Sequence, residues 1–159
     1  QKRGWVMEIL KAKNVDLPEI LALQYLAYQS EAELFKSRDI PPLKQTLEEL
    51  QEEFNNGVIL KLVTDEDVII GSVRAYLRDG TAYIGKLMVH PDYRRRGFAG
   101  MLLEEIESCF PAARYELFTS TRSEDNMRLY QKCGYEAFDC KKMSDELSFV
   151  YLQKQPLHL

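Results

Sequence analysis

Three consecutive arginines, Arg94-Arg95-Arg96, stand where a strand-like run ending at Val89 gives way to a helical period opening at Phe98. The N–H groups left free by the first turn of a helix make that end partly positive, so each cation there is disfavoured by roughly 0.3–1 kcal/mol. The guanidinium groups also repel one another. A multiply charged anion on the junction removes the conflict, accepting from the free N–H groups between flanking guanidiniums. Gly97, Ala99 and Gly100 then have a purpose, because small residues let backbone close on a phosphate. A solvated turn or a nucleic-acid contact would use the same arginines, and the junction alone does not separate these readings. Neither G-x-x-x-x-G-K-[ST] nor G-x-G-x-x-G occurs, which removes the two commonest phosphate loops.

The chain around this junction has 159 residues, 45% of them hydrophobic, and reads as one domain over residues 1–159 with no linker, repeat or low-complexity tract. With 21 basic against 25 acidic residues the net charge is −4, so the molecule as a whole does not attract nucleic acid or an acidic membrane, and any anion site is local. Cys109, Cys133 and Cys140 fit neither a disulfide framework nor the spacing of a zinc site; a reducing cytoplasm and no metal are expected. No apolar run reaches the ~18–20 residues of a membrane span, and the first residues lack the apolar core of a signal peptide.

Residues 5–11 read as a strand. Asp16 as N-cap, with Glu19 three residues on, opens a helix expected to run to about Phe35, and residues 43–54 form a second helix stopped by Asn55-Asn56-Gly57. Alternating apolar residues then predict an antiparallel meander of strands at 58–63, 68–77 and 81–89, with turns at Asp65-Glu66-Asp67 and Arg78-Asp79-Gly80. Phe98, Leu102, Ile106 and Phe110 recur every fourth residue and give one buried helical face. A strand at 114–120, a helix at 124–133 and a hairpin of strands at 135–142 and 147–153 complete an α/β order with βαβ crossovers in the second half.

Leu87-Met88-Val89-His90-Pro91, followed by Arg94-Arg95-Arg96-Gly97-Phe98-Ala99, resembles the strand, Q/R-x-x-G-x-G/A loop and helix of the GNAT superfamily of acetyl-CoA-dependent N-acetyltransferases. A second block resembles that family too: Tyr115-Glu116-Leu117-Phe118-Thr119, then Asn126 to Tyr135. The resemblance implies a mixed, mostly antiparallel central sheet of about seven strands, splayed in the middle, with helices on both faces. It implies acetyl-CoA as cosubstrate and a small-molecule or peptide amine as acceptor. Homodimers are frequent in the family.

By the same resemblance, the main chain of Arg95, Arg96, Gly97, Phe98, Ala99 and Gly100 holds the coenzyme's pyrophosphate, and Arg94 adds side-chain charge. Met88 and Val89 pair through main-chain groups with the pantetheine arm, the Val89 N–H polarises the thioester carbonyl, and Phe118 and Thr119 line the far side of the splay. Asn126 and Tyr130 lie four apart, on one helix face, and so can address one ligand. The resemblance gives Asn126 a hydrogen bond to the pantetheine arm and Tyr130 protonation of the departing thiolate; the alternatives for these two are a first-turn polar residue and a helix anchor. Many relatives carry a glutamate on the incoming strand where this chain has Tyr83-Ile84-Gly85-Lys86, which leaves the base open among Glu31, Glu33, Tyr83, His90 and Glu116. Acceptor selection in the family falls to the segments matching residues 25–42 and 140–149, where Tyr28 and Glu31 suit a cationic amine. A non-catalytic coenzyme A-binding module is the competing function, and a covalent route through Cys133 or Cys109 the competing mechanism.

Overall fold

Three of the six connections between successive strands are short turns, and each of these joins an antiparallel pair. The computed structural model describes residues 7–156. Its strands are β1 (Met7–Lys11), β2 (Val58–Thr64), β3 (Ile69–Arg78), β4 (Thr81–Val89), β5 (Arg114–Ser120), β6 (Glu136–Lys142) and β7 (Ser148–Lys154), in the order β1-β2-β3-β4-β5-β7-β6. Only β4 and β5 are parallel neighbours; every other adjacent pair is antiparallel. The helix α5 (Phe98–Ser108) crosses from β4 to β5, and α6 (Glu124–Lys132) crosses from β5 to β6 with β7 paired between them. Trp5 and Val6 of the expected first strand lie outside the described residues.

Two apolar layers sandwich the sheet, and the alternation along β2 feeds both. Leu60 and Leu62 pack with Leu102, Leu103 and Ile106 of α5, while Ile59 and Val63 pack with Leu17, Ile20 and Leu50 on the opposite face. These last come from α1 (Leu17–Ala27) and α4 (Leu47–Asn56). Tyr130 of α6 joins the α5 layer. Each fully buried leucine or isoleucine contributes roughly 1.5–3 kcal/mol.

The helical first third differs from the sequence expectation in three places. Asp16 holds the N-cap position of α1 as expected but makes no side-chain cap bond there: it ends a 3-10 turn, Asn14–Asp16, where its carboxylate accepts from the Lys13 N–H at 2.7 Å and pairs with Lys61 Nζ at 2.8 Å. Glu19 accepts from the Ile69 N–H of β3 at 3.1 Å. The single helix expected to reach Phe35 breaks at Tyr28, giving α1 and α2 (Gln29–Phe35). The second helix starts later than expected, at Leu47, behind the short α3 (Pro41–Lys44). A capping box sets that start: the Glu49 N–H donates to Thr46 Oγ1 at 3.1 Å, and the Thr46 N–H donates to Glu49 Oε1 at 2.9 Å.

Gly57 follows α4 in extended backbone rather than as a left-handed cap. Its constraint is clearance, since a Cβ there would lie 2.3 Å from the Ala75 carbonyl oxygen. Gly85 in β4 has nothing within 4 Å of the same construction. Gly57→Ala is therefore expected to lower unfolding free energy by about 1–3 kcal/mol in urea titration, while Gly85→Ala leaves it unchanged or slightly raised. Equal midpoints for the two variants would contradict this placement.

Candidate active site

The junction that opened the sequence reading is an exposed loop with its donors facing outward from the fold's hydrogen-bond network. From residue 94 to residue 100 no main-chain N–H finds an acceptor among the described residues; the first bond of α5 is Met101 N–H to the Gly97 carbonyl, 3.2 Å. Arg95 and Gly97 both have positive φ, 65° and 85°. Alternating left-handed residues of this kind turn successive N–H groups to one side and make an anion-binding concavity. A non-glycine residue held left-handed carries strain, which sites of ligand contact commonly store. The loop therefore fits a diphosphate on its backbone alone.

The three arginines have separate positions. Arg94 turns inward: Nε donates to the Val89 carbonyl at 3.2 Å and Nη2 to the Ala27 carbonyl at 2.9 Å, with Ser30 Oγ at 3.4 Å from Nη1. Its guanidinium thus clamps the end of β4 to the end of α1, where the sequence reading gave it to the anion. Arg96 lies over the Tyr93 ring, 5.3 Å from its centroid. Arg95 is exposed and forms no ion pair or side-chain hydrogen bond among the described residues, so it is the arginine left for a ligand.

The gap beside the loop comes from the sheet itself. β4 and β5 pair at Thr81–Arg114, Ala82–Tyr115 and Tyr83–Glu116 and then part, although both strands continue. On the β3 side the register slips: Ser72 faces Met88 but Arg74 faces Gly85, so β4 carries an extra residue at Lys86-Leu87, with Lys86 at φ 51°. Beyond this bulge the His90 N–H donates to the Ile70 carbonyl of β3 at 2.7 Å. Antiparallel strands turn successive N–H groups to opposite sides, so the Val89 N–H points away from β3, into the gap. Met88, expected to offer its main chain there, alternates back toward β3 and buries its side chain with α1; Leu87 shares the gap-facing set with Val89. The bulge had no sequence signal beyond a lysine and a glycine inside a strand.

Across the gap, α6 brings its residues up as the four-residue spacing predicts. Asn126 Nδ2 donates to Thr119 Oγ1 at 3.4 Å, placing both at the parted edge of β5. Tyr130 is buried, 7% exposed, and no hydrogen bond engages its hydroxyl among the described residues. Burial pushes its phenol well above the usual range, with Tyr28 and Glu31 adding to the shift. Tyr28 is raised likewise, first by burial and then by Glu31. The Glu31 carboxylate accepts from Ser123 Oγ at 3.4 Å, and burial raises it against the opposing pull of Ser123 and Arg94. Tyr28, Glu31 and Tyr130, named separately from sequence, are thus electrostatic neighbours.

On the α4 side of the sheet a cavity of about 1160 Å³ opens onto the same parting, lined by Ile84 and Gly85 of β4 and Leu117 and Phe118 of β5. Tyr83 and Glu116 also line it, but Tyr83 stacks on Tyr76 and Glu116 pairs with Arg114 at 2.9 Å. His90 is taken up locally, its Nδ1 accepting from the Asp92 N–H at 3.0 Å, and Glu33 is exposed on α2 away from this wall. Sequence reasoning missed two cavity residues, Arg74 and Lys86. The signal was there for Arg74: an arginine amid the apolar run of β3 is rarely buried unless paired, and this one, 6% exposed, meets Glu53 Oε1 at 2.7 Å and Gln24 Oε1 at 2.8 Å.

Among the described residues no group of three or more His, Cys, Asp or Glu is placed to hold a metal, and no helix is long and apolar enough to cross a membrane. Glu31 supplies a pH test. Its folded-state pKa is raised, so the fold loses stability as pH rises from the ordinary carboxylate value through the raised one, and above both the penalty is complete. Glu31→Gln removes it. The variant is expected to melt above the wild type at pH 7.5 and to match it below about pH 4, where the carboxyl is protonated in both states. A pH-independent difference would contradict the burial of this carboxyl.

Comparison with known proteins agrees with this geometry. The chain is 28% identical over 151 residues to the UPF0157 protein YqkA of Bacillus subtilis (strain 168), covering 89% of this chain and 41% of that protein, so it spans about two fifths of its relative's length. The fold superimposes on the PaiA N-acetyltransferase of Thermoplasma acidophilum in complex with coenzyme A, with a TM-score of 0.82, 17% identity and coverage of 94% and 99% of the two chains. It also superimposes on the ribosomal-protein-S18-alanine N-acetyltransferase of Escherichia coli, with a TM-score of 0.79, 13% identity and coverage of 97% and 96%. Residues 19–135 match the Acetyltransferase (GNAT) family. With that span inside one family and its sheet parted at the family's motifs, the chain belongs to the GNAT acetyltransferase family.

Proposed function

We propose that the protein moves an acetyl group from acetyl-CoA to the primary amine of a small molecule or peptide, by direct attack in a ternary complex. The observation that carries this reading is the parted pair β4/β5: an unpaired Val89 N–H on one lip, Asn126 and Tyr130 opposite, and the donor-rich loop at its end. Main-chain groups of Leu87 and Val89 take the amides of the pantetheine arm as an added strand would, and the N–H groups of residues 95–100, with Arg95, take the pyrophosphate. The Val89 N–H then stands where negative charge gathers on the thioester oxygen. The amine nitrogen bonds to the carbonyl carbon, the C–S bond breaks, and the thiolate takes the Tyr130 hydroxyl proton. Burial raises the phenol, but a thiolate in the same enclosure is raised too, so the transfer stays matched.

Loss of the amine proton falls to Glu31, the one carboxylate near Tyr130 among the described residues that burial makes more basic. A covalent route is disfavoured, because burial pushes the thiols of Cys109 and Cys133 up and leaves little thiolate at neutral pH. Three unpaired thiols suit a reducing cytoplasm. Tyr130→Phe is expected to cut kcat about 100-fold or more while CoA affinity stays nearly constant, read by thiol release and by calorimetry. Unchanged turnover would remove Tyr130 from the chemistry. Tight acetyl-CoA binding with no turnover on any amine would favour the non-catalytic module.

A further inference from the structure

The cavity on the α4 side contains one cation that no hydrogen bond or ion pair answers among the described residues. Lys44 is paired with Asp39 at 2.7 Å, Arg74 with Glu53 at 2.7 Å and Glu116 with Arg114 at 2.9 Å, while Glu49 is committed to the Thr46 N–H. Lys86 lines the same cavity and forms no hydrogen bond or ion pair among the described residues. Its place is imposed by the β4 bulge, where the lysine backbone is held left-handed at φ 51°. That is a strained conformation for a residue with a long side chain.

Arg74 gives an independent observation on the same wall. Its Nη1 is the one buried side-chain nitrogen or oxygen among the described residues that lacks a partner. A buried donor left unmet destabilises the fold. Glu53 and the two glutamines Gln24 and Gln45 occupy Nε and Nη2, so the unmet donor remains although the side chain is otherwise fully bonded. Burial depresses the Lys86 ammonium, and the neighbouring Arg74 charge depresses it further, so the two cations repel across a wall that holds one carboxylate for both. Glu49 and Glu52 of α4 also line the cavity, and neither pairs with Lys86 among the described residues.

Resting on the acetyltransferase reading above, we propose that the acceptor is an amine that also carries a carboxylate, seated on Lys86 on the wall it shares with Arg74. Tyr83, Phe118 and Tyr151 line the cavity around that seat and hold the body of the acceptor. Gly85, whose Cβ position is empty space, leaves room between the seat and the parted strands.

The test uses the acetylated products, which lack the titrating amine: N-acetyl derivatives of the twenty common amino acids, each as free acid and as carboxamide, titrated calorimetrically into the CoA complex. At least one free acid is expected to bind about tenfold or more tightly than its amide. Lys86→Met should erase that preference and Lys86→Arg should keep it, with CoA affinity the same in all three proteins. If no acid binds better than its amide, or if the preference survives in Lys86→Met, the seat is wrong while the acetyltransferase reading stands. If CoA itself fails to bind the wild type, that reading falls and takes this inference with it.

Discussion

Past Tyr83 and Glu116 the backbones of β4 and β5 stop sharing hydrogen bonds, although one strand runs on to Val89 and the other to Ser120. Unpaired strand edges inside a sheet are costly unless something else meets their N–H and C=O groups. Two features hold the strands apart. The extra residue at Lys86-Leu87 bends β4 toward β3, and the Arg94 guanidinium ties the Val89 carbonyl to the end of α1. β5 meanwhile is paired with β7 from Tyr115 to Ser120 and cannot follow. An amide-bearing arm laid in the opening restores what the parting removed, which is why the gap reads as a binding site.

Charge divides the molecule along this opening. On the α5 side the donors of residues 95–100 and the Arg95 side chain face outward with no protein acceptor among the described residues, a surface suited to phosphate despite the net charge of −4. On the α4 side Lys44, Arg74 and Glu116 are each paired, and the charges left without an ion pair among the described cavity residues are Lys86 on β4 and Glu49 and Glu52 on α4. The two faces meet at Tyr130, Tyr28 and Glu31, each raised first by burial, with Glu31 adding to the shift of both tyrosines. Tyr130 is buried and Tyr28 and Glu31 are half-buried, which limits bulk water at the proposed proton transfers.

The strands were legible because alternation is a local signal: residues 114–120 and 81–89 begin and end where the pattern does. The helical third was less so, since partners distant in sequence decide it. Asp16 and Glu19 look like a cap and its reply, yet Lys61 and the Ile69 N–H claim them from β2 and β3. The break at Tyr28 coincides with the Ala27 carbonyl being taken by Arg94. Thr46 and Glu49 did announce the start of α4 by their spacing, and the preceding Pro41-Pro42 obscured it. At the site, Asn126 and Tyr130 follow from helical spacing, whereas Lys86 and Arg74 matter only because a bulge and a fold-wide register bring them to one wall.

The central claim is that the Val89 N–H meets a thioester while the loop of residues 95–100 meets a diphosphate. Amide chemical shifts of isotope-labelled protein, titrated first with CoA and then with acetyl-CoA, test both halves at once. The account predicts that the amides of residues 95–100 move with either ligand and that the Val89 amide moves markedly further with the acetylated one. An unresponsive loop, or a Val89 amide that does not distinguish the two ligands, would contradict it.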